Sequence, residues 1–138
     1  MKRAVIIYLL LFMGISAGYV YAQKSQEYNA SGGTLEVEAG NIFVIELKSN
    51  QVIGLKWRLA SPLDTDILKL VSVEFVRSTA RIIGIPGKET WTFKALKPGE
   101  VTIYLKYSRS PSTKVASEEE KVYIVTVTEP SKQKKQSE

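Results

Sequence analysis

This chain of 138 residues has no cysteine and no histidine. No disulfide can staple it, so a folded domain must be held by its core alone. The same absences exclude a cysteine nucleophile, a Ser-His-Asp triad and any metal site built on thiolate or imidazole. Sustained 3.6-residue hydrophobic periodicity is missing after the first 22 residues, so little helix is expected. There is also no Lys/Arg stripe interleaved with aromatics. The formal charge of +5 falls to +3 without Lys2 and Arg3, and the tail (Lys132, Lys134, Lys135, Glu138) holds two of those three charges. The remainder is nearly neutral, and nucleic acid is not an expected partner. Asp64 and Asp66 flank Thr65, but no further calcium ligands follow at a recognisable spacing; solvated loop charge is the simpler reading. Glu118-Glu119-Glu120 is a plain acidic run. No enzyme, metal or cofactor is expected.

Only one long hydrophobic run is present. Lys2-Arg3 precede an almost unbroken apolar stretch over residues 4–13, and Val20-Tyr21-Ala22 offers small residues for cleavage before Gln23. This pattern predicts a signal peptide over residues 1–22 and an exported protein, periplasmic or secreted. The alternative, an uncleaved membrane anchor, is opposed by the short apolar core and the polar residues after Ala22. Residues 23–33 read as a flexible polar lead-in, 34–129 as one domain, and 130–138 as a disordered basic tail. The processed chain, about 116 residues, is long enough for one domain with a real core.

What is present is alternation. Trp91, Phe93 and Ala95 oppose Thr90, Thr92 and Lys94; Val101, Ile103, Leu105 and Tyr107 oppose Thr102, Tyr104 and Lys106. Period-2 patterning of this kind marks half-buried strands. Pro98-Gly99 between them has the residues of a type II turn, in which Pro presets φ and Gly tolerates a positive φ. Similar patterns cover residues 34–38, 42–48, 55–60 around Trp57, 67–77 and 121–128, and residues 80–83 are short and apolar. The phase shifts near residues 69–71, which predicts a bulge. The expected fold is all-β, an immunoglobulin-like β-sandwich of seven to eight strands, with Trp57 and Trp91 in the core.

The loop positions can be argued further. If Ser78-Thr79 is a bend and not a full reversal, the segments at 50–54, 84–87 and 109–112 share one edge of the sandwich. Shaped loops gathered on a β scaffold suggest a binding edge.

Those three segments carry a resemblance. Asn50-Gln51-Val52-Ile53-Gly54 is followed by Trp57; Gly84-Ile85-Pro86-Gly87 is followed by Trp91 and Phe93; Tyr107-Ser108-Arg109-Ser110-Pro111 comes third. In order and spacing the chain resembles the chagasin family of cysteine-protease inhibitors, over about residues 34–128. That family's first loop reads Asn-Pro-Thr-Thr-Gly, its second Gly-x-Gly-Gly and its third Arg-Pro-Trp. Here Gln51-Val52-Ile53 replaces Pro-Thr-Thr, Pro86 replaces a glycine, and Ser110 stands between Arg109 and Pro111 with no Trp following. The resemblance implies a monomeric, reversible, noncovalent inhibitor whose three loops enter the cleft of a papain-like cysteine protease. The implied contact residues are Asn50, Gln51, Val52, Ile53, Gly54, Gly84, Ile85, Pro86, Gly87, Arg109, Ser110 and Pro111. The alternative is an envelope or extracellular adhesion module on the same scaffold, with diverged loops and no inhibitory activity.

Overall fold

The alternating segments form strands in the computed structural model, which describes residues 26–28, 32–112 and 116–132. The signal peptide expected over residues 1–22 and the tail residues 133–138 lie outside the described residues. Among those described are eight strands: β1 (Gln26–Tyr28), β2 (Gly33–Glu38), β3 (Ile42–Ser49), β4 (Lys56–Leu59), β5 (Leu68–Val76), β6 (Gly87–Ala95), β7 (Gly99–Ser108) and β8 (Glu119–Thr128). A single 3-10 turn, Gln51–Ile53, lies between β3 and β4. The strands make two four-stranded sheets, β1-β3-β6-β5 and β2-β8-β7-β4. Apart from the N-terminal strands, β3-β6-β5 against β4-β7-β8 is the immunoglobulin arrangement expected from the sequence.

Inward-facing residues of both sheets fill the space between them. Phe43, Ile45 and Leu47 of β3 and Trp91, Phe93 and Ala95 of β6 face Val101, Ile103 and Leu105 of β7 and Tyr123, Val125 and Val127 of β8. Phe43 and Phe93 are paired in register, with stacked rings 5.3 Å apart. Burying each such side chain contributes roughly 1.5–3 kcal/mol. This core stands in for the missing disulfides.

The bulge falls where the phase shift predicts it, between Leu70 and Ser72. Leu68 and Leu70 lie opposite the inward residues Ala95 and Phe93. After the extra residue, Val73 and Phe75 lie opposite Trp91 and Glu89. The bulge thus shifts the strand's register from even to odd positions, and Val71 and Val73 are both exposed.

The sequence reading differs from the structure in two places. Residues 80–83 are not a strand; they belong to the irregular connection 77–86, where no neighbouring strand offers a ladder. Gln26–Tyr28, inside the polar lead-in, pairs parallel with β3. Ladder bonds use only backbone groups, so a polar segment can add to a free edge without an apolar pattern. The chain reverses at Pro98-Gly99 as expected, and the turn joins strands of different sheets, so β6 and β7 do not pair. Gly99 has φ +153°, and a Cβ there would sit 2.7 Å from Ile67 Cδ1. The glycine permits close approach as well as the turn.

Candidate functional site

Registers place three connections at one end. In the first sheet Ser49 lies opposite Gly87, and Val76 opposite Lys88. In the second sheet Lys56 lies opposite Ser108, and Tyr107 opposite Glu119. The chain therefore leaves the sandwich at this end after Ser49, Val76 and Ser108, the first link crossing between the sheets. Ser78-Thr79 carries no full reversal, as the sequence argument required.

The first link is a shaped tip. Ile53 and Leu55 amides both donate to the Asn50 carbonyl at 3.3 Å, and the Gly54 amide donates to the Gln51 carbonyl at 3.0 Å. Gly54 closes the turn at φ +83° in the left-handed region, where a Cβ would be strained. Leu55 turns inward and is buried, whereas Val52 is 65% and Ile53 45% exposed. The two apolar residues of the tip thus face solvent.

The base of this tip is held by side chains. Trp57 donates its indole N–H to the Lys48 carbonyl at 2.9 Å and stacks on Tyr107 at 5.0 Å. The Tyr107 hydroxyl accepts from the Asn50 amide at 2.6 Å. Below lies Glu89, 1% exposed. Its Oε1 accepts from the Ser49 hydroxyl at 2.5 Å, the Trp57 amide at 3.1 Å and Gln51 Nε2 at 3.2 Å. Its Oε2 accepts the Trp91 indole N–H at 3.1 Å. A carboxylate offers about four acceptor positions, so these donors saturate it.

The flanking loops touch the first. Arg109 Nη1 donates to the Ile53 carbonyl at 2.5 Å, and its Nε lies 3.8 Å from Glu118. Arg109 therefore props the tip while remaining exposed. Asn50 Nδ2 reaches the Gly84 carbonyl at 3.4 Å. Gly84 has φ +90°, and a Cβ on Gly87 would collide with the Val76 carbonyl and the Phe75 ring. Ile85 and Pro86 are exposed on the second loop. In the third loop the Ser108 hydroxyl donates to the Ser110 carbonyl at 2.8 Å and the Ser110 hydroxyl accepts from the Ser112 amide at 3.2 Å, with Pro111 exposed between them.

The expected contact residues of the first two loops and Arg109 thus lie on one edge, while Ser110 and Pro111 line a small hollow along β4 with Arg58, Leu59 and Ala60. Sequence reasoning missed two sets of neighbours. Ile82 and Ile83, 70% and 96% exposed, extend the apolar surface beside Gly84. Glu89, Ser49 and Tyr107 form the support beneath. Glu89 had a visible signal, since it shares the inward phase of Trp91 and Phe93, where a charge is out of place. At the opposite end, Asp64 Oδ1 accepts the Asp66 amide at 3.1 Å, a local turn bond. Chemically, the edge offers apolar surface and fixed backbone, and it suits occlusion.

The family model described as Chagasin family peptidase inhibitor I42 matches residues 36–127. Amoebiasin-2 of Entamoeba histolytica is 27% identical over 109 residues, spanning 79% of this chain and 85% of the relative. Among solved structures, the cysteine protease inhibitor EhICP2 of Entamoeba histolytica superposes with a TM-score of 0.65 at 22% identity, covering 75% of this chain and 95% of that one. PbICP-C, solved in complex with falcipain-2, superposes with a TM-score of 0.56 at 18% identity, covering 78% and 93%. These structural likenesses carry the fold, and the family match favours an inhibitor over the adhesion module and over any enzyme. The chain belongs to the chagasin family of peptidase inhibitors.

Proposed function

We propose that this protein inhibits papain-like cysteine proteases by reversible, noncovalent occlusion. Residues 50–54 fill the centre of the cleft, and residues 84–87 and 109–111 lie against its walls. One observation carries the reading: Val52 and Ile53 stand exposed on a tip fixed by hydrogen bonds from both flanking loops. A prefixed tip loses little conformational entropy on docking, so more of its contact energy appears as affinity. The apolar pair supplies a desolvated centre in place of the aromatic that the third loop lacks. The protease class is the one named for relatives, a cysteine protease inhibitor and a partner of falcipain-2. The leader-like residues 1–22 support an exported inhibitor, periplasmic or secreted, and N-terminal sequencing of the secreted chain should find Gln23 first.

The test is titration of the chain against a panel of papain-like proteases. Inhibition at micromolar concentration or below is expected. Replacing Val52→Gly together with Ile53→Gly should weaken it on the order of a hundredfold, as loss of a central anchor does. No inhibition by the wild type, or equal inhibition by the double variant, overturns the proposal.

A further inference from the structure

The proposed occlusion leaves a question of chemistry. A loop lying over a catalytic thiol presents peptide bonds to an enzyme that cuts peptide bonds. Cleavage requires the thiolate to attack a carbonyl carbon and the amine to leave with a proton. Water must then release the acyl group as a carboxylate and restore the thiol. Attack proceeds only from a close, aligned geometry. What keeps residues 50–54 from reaching it is therefore part of the inhibitor's function.

Glu89 is placed to do this. Its carboxylate takes donors from both sides of the tip, Ser49 before it and Trp57 after it, and from Gln51 inside it. The tip closes on itself between these points through Asn50, Gln51 and Gly54. Ser49 has one hydroxyl proton, and its two candidate acceptors are Glu89 at 2.5 Å and the Leu55 carbonyl at 3.3 Å. The shorter, charge-assisted bond takes the proton. The Trp91 indole holds the carboxylate from the other side. Flattening the tip into an extended strand would pull Gln51 away from Glu89 and break the turn. Even after a cut, the two new ends would stay joined through one carboxylate.

From this geometry, and resting on the inhibitor reading above, we infer that Glu89 is the positioning residue that makes the first loop an inhibitor and not a substrate. It touches no protease atom; it acts through Ser49, Gln51 and Trp57. The isosteric change Glu89→Gln keeps the shape but turns an amide N–H₂ toward the donors, so at least one donor is left without an acceptor.

The experiment uses the full chain as wild type, Glu89→Gln, Ser49→Ala and Gln51→Ala. Amide exchange of the free proteins is measured first. In Glu89→Gln, exchange at Asn50, Ile53, Gly54 and Leu55 should rise on the order of tenfold or more while β7 and β8 stay protected, with smaller rises in the other two variants. Each protein is then incubated with a papain-like protease and followed by mass spectrometry. Wild type should remain intact. Glu89→Gln should dissociate on the order of tenfold faster and be cut within residues 50–54, one water being added across the bond. Unchanged loop exchange in Glu89→Gln overturns the inference whatever the protease assay shows. So does a folded Glu89→Gln that inhibits like wild type and stays whole. If Glu89→Gln does not fold, Ser49→Ala and Gln51→Ala decide: both matching wild type in loop exchange and survival overturns it. A wild type that inhibits no protease defeats the functional reading alone, because the exchange data stand apart from it.

Discussion

The two ends of the sandwich are closed by different means. At the end away from the tip, backbone bonds backbone. The Ala39 amide donates to the Thr128 carbonyl at 2.9 Å, Gly40 to Ala95 at 2.8 Å, Ala95 to Asn41 at 2.9 Å, Leu96 to Ile67 at 2.8 Å and Ala60 to Tyr104 at 2.8 Å. At the tip end, side chains add to the backbone bonds of the first link and of Glu118. Glu89, Tyr107, Trp57 and Arg109 pair backbone groups that no strand reaches. Backbone closure is nearly indifferent to sequence, whereas side-chain closure specifies one loop shape. Any strand-forming sequence can close the first end; the second is where a particular function can be encoded.

The sharpest way to break this comparison is to cut one large buried residue from each end. Trp57→Ala removes a core side chain at the tip end together with its bond to Lys48 and its stack on Tyr107. A loss of about 3–5 kcal/mol in urea unfolding is expected. Leu68, fully buried at the opposite end, should cost about 2–5 kcal/mol as Leu68→Ala. Inhibition separates them. At a temperature where both remain folded, Leu68→Ala should inhibit within about twofold of wild type, and Trp57→Ala should be weaker by roughly a hundredfold or more. Equal inhibition would show that the tip does not depend on its base.

Arg109 sharpens the comparison from the solvent side. It is exposed and contributes nothing to the core, so Arg109→Ala should change unfolding free energy by no more than about 0.5 kcal/mol. The Ile53 carbonyl nevertheless loses the Arg109 guanidinium as its donor. Inhibition should weaken roughly tenfold, mainly through faster dissociation. A parallel loss of stability and inhibition would assign Arg109 to the fold.

What could be read in the sequence follows the same division. The strands, the bulge at Leu70 and Ser72 and the gathering of three loops came from period-2 patterns and chain reversals, which are local. Val52 and Ile53, contact residues by the family resemblance, stand at the surface. The supports were not legible, because they join residues far apart: Arg109 meets Ile53 across 56 positions, and Glu89 meets Gln51 across 38. Phase alone placed Glu89 inward, yet phase does not say which donors await it. Residues 80–83 mislead for a related reason. Their apolar character suits a strand, but strand formation needs a neighbour, and the connection from β5 to β6 provides none.

The smallest effect lies on the outer face of the second sheet, where β7 and β8 meet the end of the third link. The Tyr104 hydroxyl donates to Glu120 at 2.6 Å, with the Ser117 hydroxyl on the other oxygen at 2.7 Å. The Tyr104 bond and the Ser117 bond hold the Glu120 carboxyl below its usual 4.5. The same contact with Glu120 raises the Tyr104 phenol above 10.0. A carboxyl depressed by folding adds stability above its unfolded value and loses it as pH falls through the folded one. A phenol raised by folding adds stability below its unfolded value and loses it as pH rises through the folded one. The thermal midpoint of wild type should therefore exceed that of Tyr104→Phe by a small margin between those limits. The margin should shrink below 4.5 and again above 10.0. Both groups lie in water, so salt should reduce it too. Protease inhibition at neutral pH should be the same in the two proteins, because this bond supports neither the tip nor its base. A change in inhibition would extend the side-chain closure of the tip end further along β7 and β8 than the hydrogen bonds now place it.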